Sequence, residues 1–319
     1  MNAPLDQHWL RQVGEVEQIR ARPLLGTLVE ITASGIFPDK VQSAIDCAFD
    51  EVERVHALMS YHAADSDVSR INREAFDHPV QVDEHTMRVL TAAYEMSEAS
   101  SGQFDITVAP TLTKLGFLPR RPDLPRISGQ GDWRHVNLLD GNRVRLTRRL
   151  RIDLSGIAKG YAVDLAIQAL ASCDMTAGKV NAGGDMRLFG ESPQTIHVRQ
   201  PHAPTQLLSL VELTQGAAAT SAGYYSQRRI HGRMITPLIH PHTRVPCGAE
   251  RSVTVLAQNC MIADALTKVV HVSPARAANV LVHFNARALM VEHDPATGGC
   301  RIYDSGTARH HNWRVRCAA

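Results

Sequence analysis

The sequence predicts an α+β fold with mixed sheets and packed helices. Two observations carry this: strand-like and helical segments mix without a regular βαβ repeat, and no Walker A or G-x-G-x-x-G loop supports a doubly wound nucleotide fold. With 319 residues, 44% hydrophobic and 21% charged, the chain can bury a sizeable core as one large domain or two unequal lobes.

Residues 1–21 read as a polar N-terminal extension, and the domain proper spans 22–319, in one or two lobes. LVEITA, starting at Leu28, has a strand pattern. Val41, Ala44, Ile45, Ala48, Val52, Val55 and Met59 recur at helical spacing, which predicts a helix ending near Ser60 and Tyr61. A second helix is expected over 84–99, closed by Ser-Ser-Gly at 100–102. Residues 136–147 read as a hairpin turning on Asp140 and Gly141. After it, Asp153 or Ser155 can cap a helix whose face carries Ala158, Ala162, Leu165 and Ala169. Strands follow at QLLSLVEL, SVTVLA and ALMVEH, with helices over 261–270 and 274–282.

Composition narrows function. Thirty-four basic residues nearly balance 32 acidic ones, so a globally basic nucleic-acid surface is not indicated. Six cysteines are scattered with no C-x-x-C pair, which favours a reducing compartment over a zinc site or a disulfide framework. The start of the chain lacks the apolar run of a signal peptide, and no stretch is apolar enough to span a bilayer. The expectation is a soluble, cytoplasmic protein.

Gly156, Gly160, Gly183 and Gly184 offer permissive backbone for close approach to phosphates. Asn181-Ala182-Gly183-Gly184-Asp185 is either a ligand turn or an ordinary Asx-capped turn. Asp153-Leu154-Ser155-Gly156-Ile157-Ala158-Lys159-Gly160 joins a strand to a helix start and sets a lysine beside its positive end, where anions are stabilised. Its plain alternative is a capped helix with Lys159 in water.

In order along the chain come Leu25-Gly26-Thr27, Met59-Ser60, DSDVSRIN from Asp65, GQFDITV from Gly102 and KLGF from Lys114. DLSGIAKGYAVD from Asp153, VNAGGD ending at Asp185, Ala219-Thr220-Ser221, SVTV from Ser252 and Ala263-Asp264-Ala265-Leu266 complete the series. Together they resemble the FAD:protein FMN transferase (ApbE) family over most of the chain. The resemblance implies a T-fold-related architecture with FAD in a cleft and Mg2+ beside the pyrophosphate. It further implies transfer of FMN from FAD to a Ser or Thr hydroxyl in the flavinylation motif of an acceptor flavoprotein, with release of AMP. By motif, Met59, Ser60, Tyr61, Asp105, Lys159, Gly183, Gly184, Asp185, Thr220 and Ser221 would bind FAD. Ala158, Asp264 and Thr267 would face the metal.

Two departures from the family pattern matter, and a smaller one lies near Tyr61. The family segment Ser-His-Ile-Ile-Asp-Pro-x-Thr-Gly here runs from Thr236 to Arg244, with Pro237 at the histidine and His240 at the aspartate. Proline cannot transfer a proton, so that role is lost or moves to His240. The second departure is Lys268, which stands four residues after Asp264 where the family has a metal-binding threonine. Lys268 either takes the cation's place against Asp264 and the pyrophosphate, or extends to solvent while Thr267 serves the metal. Near Tyr61 the family commonly has its flavin-covering aromatic one position later, so either Tyr61 or His62 takes the ring. His231, His240 and His242 raise a metal-site reading, although no acidic or cysteine partner has ligand-like spacing. Two other functions compete with transfer: a catalytically impaired FAD-binding carrier or interaction protein, and an FAD pyrophosphatase.

Overall fold

Strand β1 (Val16–Leu24) carries Glu17, Gln18, Arg20 and Arg22, yet its whole length pairs antiparallel with β2 (Thr27–Gly35). The structure, a computed structural model, describes residues 14–127, 131–200, 207–223, 227–230, 232–248, 251–294, 299–305 and 313–315. Regular structure thus begins at Val16, inside the expected polar extension, because an edge strand needs little apolar alternation. Leu25 and Gly26, both at positive φ, close the two-residue turn between these strands.

Helix α1 (Pro38–Met59) buries the predicted face and starts three residues early, with Pro38 in its first turn. Then come α2 (Asp67–Glu74), β3 (Val80–Gln81), α3 (Glu84–Ala99) and the short α4 (Ala109–Lys114). Hairpin β4 (Val136–Leu139) and β5 (Arg143–Leu146) forms as predicted, with its positive φ angles at Gly141 and Asn142 rather than at Asp140. Helix α5 (Ala158–Ser172) leads into β6 (Ala177–Ala182), β7 (Asp185–Phe189), β8 (Gln194–Arg199), β9 (Leu207–Leu213) and β10 (Gly216–Ala222). After the small hairpin β11 (Arg228–Ile230) and β12 (Arg233–Ile235) follow β13 (Arg251–Ala257), α6 (Cys260–Val272) and α7 (Pro274–His283). The last described elements are β14 (Arg287–His293), β15 (Cys300–Ser305) and β16 (Trp313–Val315).

The main sheet has eight strands in the order β1-β2-β6-β7-β10-β13-β14-β15. The α+β class holds, and the expected mixed sheets are built of antiparallel pairs throughout the described residues. Alternation decides the layers. Ala217, Ala219, Val253 and Val255 face the core that includes α1, α5 and α6. Ala218, Leu256, Leu289 and Val291 point the other way and pack on Ile196, Val198, Val211 and Leu213 of the small sheet β8-β9-β16. One end of the molecule is therefore helix, sheet and sheet, and the site opens beside that junction.

Candidate functional site

The site begins where the first turns of α5 and α6 cross. Gly160 makes the crossing possible: a Cβ there would lie 2.3 Å from the Cys260 carbonyl oxygen. Each helix then caps the other. The Gly160 N–H donates to Asp264 Oδ2 at 3.2 Å, while Asp164 accepts from the N–H groups of Cys260 (2.8 Å) and Met261 (2.9 Å). Asp264, not Asp153 or Ser155, thus satisfies the first turn of α5, which has Ile157 at its N-cap and no local side-chain cap. Asp153 instead accepts from the Ser155 hydroxyl at 2.5 Å and lines the cleft, where burial pushes its carboxyl up from its ordinary value.

Two ammonium groups meet two buried carboxylates at this crossing. Lys159 Nζ lies 2.6 Å from Asp185 Oδ2, and Lys268 Nζ is bound to Asp264 Oδ1 and, at 2.9 Å, to the Asp264 carbonyl oxygen. Burial alone would pull the Lys159 amine down, but the charges of Asp185 and Asp264 outweigh it and hold the amine above its ordinary value. The cluster is balanced in charge, and both lysines line the cleft.

The cleft measures about 890 Å3, within the range of small-molecule sites. Gly183 and Gly184, at φ +62° and +102°, form one lip, and the Gly184 N–H is held by Asn181 Oδ1 at 3.0 Å. The turn is thus Asx-capped and at the same time lines the cleft, so the two readings of this segment do not exclude each other. A Cβ at Gly183 would come within 2.5 Å of Thr27 Oγ1, which ties the Leu25-Gly26-Thr27 segment to this turn. Asp105, Thr220 and Ser221 also line the cleft, as do Pro237, Leu238, Ile239 and Pro241.

Other predicted residues lie elsewhere. Met59 and Tyr61 are buried in the core, and Ser60 ends α1; none of them lines the cleft. The DSDVSRIN motif pins this region: the Ser66 hydroxyl donates to the Ser60 carbonyl at 2.6 Å, and Asn72 bonds both the N–H and the carbonyl of Ile152. Gly160, read as permissive backbone, serves helix packing and has no positive φ. His240 also sits off the cleft wall, its ring 5.8 Å from that of His242. His231 lies outside the described residues, and among those described no three His, Cys, Asp or Glu gather as a metal set. His197 on β8 lines the cleft and was missed, because a single histidine in a polar strand gives no periodic signal.

The donor set expected for Mg2+ does not fit a divalent cation. Asp264 Oδ1 is held by the Lys268 ammonium and Oδ2 by the Gly160 N–H, so both carboxylate oxygens are engaged. Thr267 is fully buried and donates its hydroxyl to the Asp264 carbonyl at 2.7 Å. Ala158, the first residue of α5, does not line the cleft.

His271, on α6 behind Lys268, contacts the carbonyl of Ser221 through Nε2 at 2.9 Å. Burial pulls its imidazole down to about 4 from 6.5, so it is neutral at pH 7. The unfolded chain takes up this proton first as pH falls, so the contribution is present above about pH 6.5 and is lost on descent to about 4. That loss is on the order of 3 kcal/mol at about 1.4 kcal/mol per pH unit. Asp105, Asp153 and Asp164, whose carboxyls burial raises, act with the opposite sign. Comparing His271→Gln with the parent cancels them: the parent's stability relative to the variant should fall between pH 6.5 and 4 in urea unfolding. A pH-independent difference would show that His271 is not buried neutral.

Fold and site together define an α+β protein with a nucleotide-sized cleft floored by a buried, balanced charge cluster. The chain belongs to the ApbE family, whose profile matches residues 25–290. It is 30% identical over 262 residues to the FAD:protein FMN transferase of Vibrio cholerae, covering 76% of this chain and 78% of that one. Its fold is similar to the crystal structure of the ApbE protein of Thermotoga maritima, with TM-score 0.79, 28% identity and coverage of 90% and 96%. The flavin transferase ApbE of Vibrio cholerae superposes with TM-score 0.76 and 28% identity, covering 92% of this chain and 98% of that one.

Proposed function

We propose that this chain binds FAD in the cleft and transfers its FMN moiety to a Ser or Thr hydroxyl in the flavinylation motif of an acceptor protein. The observation that carries this reading is the pair of ammonium groups, Lys159 and Lys268, on the cleft floor beside the Gly183-Gly184 turn. The acceptor oxygen attacks the flavin-side phosphorus. A new O–P bond forms, the bridging P–O bond breaks, and AMP leaves with the electron pair. Negative charge grows on the phosphoryl oxygens as this happens, and fixed ammonium groups stabilise it without reorganisation. Lys268 does the work for which a resident metal would otherwise be needed. The hydroxyl proton must reach a group in the cleft, whose lining includes Asp105, Asp153 and His197.

Incubating the protein with FAD and an acceptor bearing a flavinylation threonine tests this. In-gel flavin fluorescence on the acceptor, with stoichiometric AMP, is the expected result. AMP and free FMN without labelled acceptor would mean hydrolysis. Bound FAD with no turnover would mean a carrier, a reading favoured by Pro237, which lines the cleft at the family's histidine position.

A further inference from the structure

Arg244 holds a left-handed backbone, φ +58°, that disfavours any residue with a Cβ, and it stands where the family segment ends in glycine. The loop around it is closed by hydrogen bonds from His240 N–H to the Val245 carbonyl (2.9 Å), Arg244 N–H to the His240 carbonyl (2.8 Å) and Cys247 N–H to the Leu238 carbonyl (2.7 Å). From this loop the guanidinium reaches the opposite wall of the cleft. It donates to the Thr107 carbonyl (3.1 Å), the Thr107 hydroxyl (3.2 Å) and the Gly131 carbonyl (2.7 Å), and lies 3.9 Å from Asp105 Oδ2. Its side chain is 15% exposed and that of Asp105 only 3%. A left-handed backbone whose side chain is tied down by three hydrogen bonds to the facing segment is a constraint the surrounding structure enforces.

We propose that Arg244 is a positioning residue that straps the Pro237–Pro241 wall to the Asp105 wall and holds Asp105 in place as an acceptor for a hydroxyl or amine of the bound flavin nucleotide. The inference rests on the FAD reading above. Burial raises the Asp105 carboxyl, while the Thr107 N–H and hydroxyl and the charge of Arg244 oppose this. The remaining charged group acting on it, Asp132, pushes it further up and is itself paired with Arg134 and His135. Without Arg244, Asp105 would therefore take its proton at a higher pH.

The test is FAD affinity across pH, read by flavin fluorescence, for the parent, Arg244→Gly and Arg244→Lys. Glycine relieves the left-handed strain, so the variant remains folded. Its affinity should fall roughly tenfold or more at neutral pH, as expected on losing charge-assisted bonds, and its acid limb should move to higher pH. Lysine, which keeps the charge but not the fork, should restore the acid limb without the full affinity. A strap with no electrostatic role would weaken binding equally at all pH values, and that result would overturn the proposal. So would an Arg244→Gly profile superimposable on the parent's. Failure of the parent itself to bind FAD would instead sink the underlying FAD reading.

Discussion

If Lys268 stands in for a cation as proposed, replacing it by alanine is expected to make flavin transfer depend on added metal where the parent's does not. In the parent, the Lys268 ammonium occupies Asp264 Oδ1 and faces the cleft. Flavin transfer by the parent should therefore persist in excess chelator. In the variant the cleft floor loses one of the two ammonium groups proposed to face the pyrophosphate. Removing a single preorganised electrostatic partner typically costs about 100- to 1,000-fold in turnover, and a loss of that size is expected in chelator. Asp264, fully buried, also loses its direct ion-pair partner and keeps only the Gly160 N–H and the more distant charge of Lys159, so the cost to the fold should approach the roughly 3–5 kcal/mol of a broken buried pair without exceeding it. Both deficits should be reduced by added Mg2+, because the freed carboxylate can take up a cation. The decisive measurement is AMP release at matched FAD concentration, with chelator or with millimolar magnesium, for parent and variant. A parent that is inactive in chelator would remove Lys268 from the role proposed for it. Lys268→Arg, retaining charge, should stay chelator-resistant.

The regular elements were largely legible because their signals are local. The apolar spacing of α1 and the strand runs that became β2, β13 and β14 needed no knowledge of what they pack against. Lys159, Gly183, Gly184 and Asp185 were legible as a group through the ordered motifs; the first three line the cleft, while Asp185 lies buried behind it as the ion-pair partner of Lys159. What stayed hidden is tertiary. Nothing near Ala158 in sequence says that its helix is capped by Asp264, about a hundred residues away, and Asp153 was a reasonable local candidate for that task. Strand β1 was missed for a different reason. It is an edge strand, fixed by its register with β2 rather than by its own burial, and its charges resemble those of an unstructured tail. Met59 and Tyr61 show the limit of carrying roles over by motif, since a short segment can match a family while its side chains face the core.

Gly160→Ala provides the sharpest test of the helix crossing, because two effects on this residue oppose each other. Gly160 has no positive φ and lies in the first turn of α5, so intrinsic propensity alone would make alanine stabilising by roughly 0.5–1 kcal/mol. Packing argues the reverse. The new methyl would sit 2.3 Å from the Cys260 oxygen, 2.6 Å from its carbonyl carbon and 2.8 Å from the Met261 Cα, all backbone atoms that cannot rotate away. Overpacking typically costs about 1–3 kcal/mol, and a clash with backbone belongs at or above the top of that range. For 319 residues, at about 2.1 cal/mol/K of unfolding entropy per residue, about 3 kcal/mol corresponds to a fall in Tm of roughly 4–5 °C. Relief requires α5 and α6 to separate. Separation lengthens the Gly160–Asp264 hydrogen bond and the Asp164 bonds to Cys260 and Met261, so the charge cluster on the cleft floor moves with the helices. Calorimetry should record the lower Tm, and titration with FAD should record weaker binding in the same variant even though Gly160 does not line the cleft. Unchanged FAD affinity alongside the lower Tm would show that the cluster is held independently of the crossing. A raised Tm would mean that the two helices do not approach this closely.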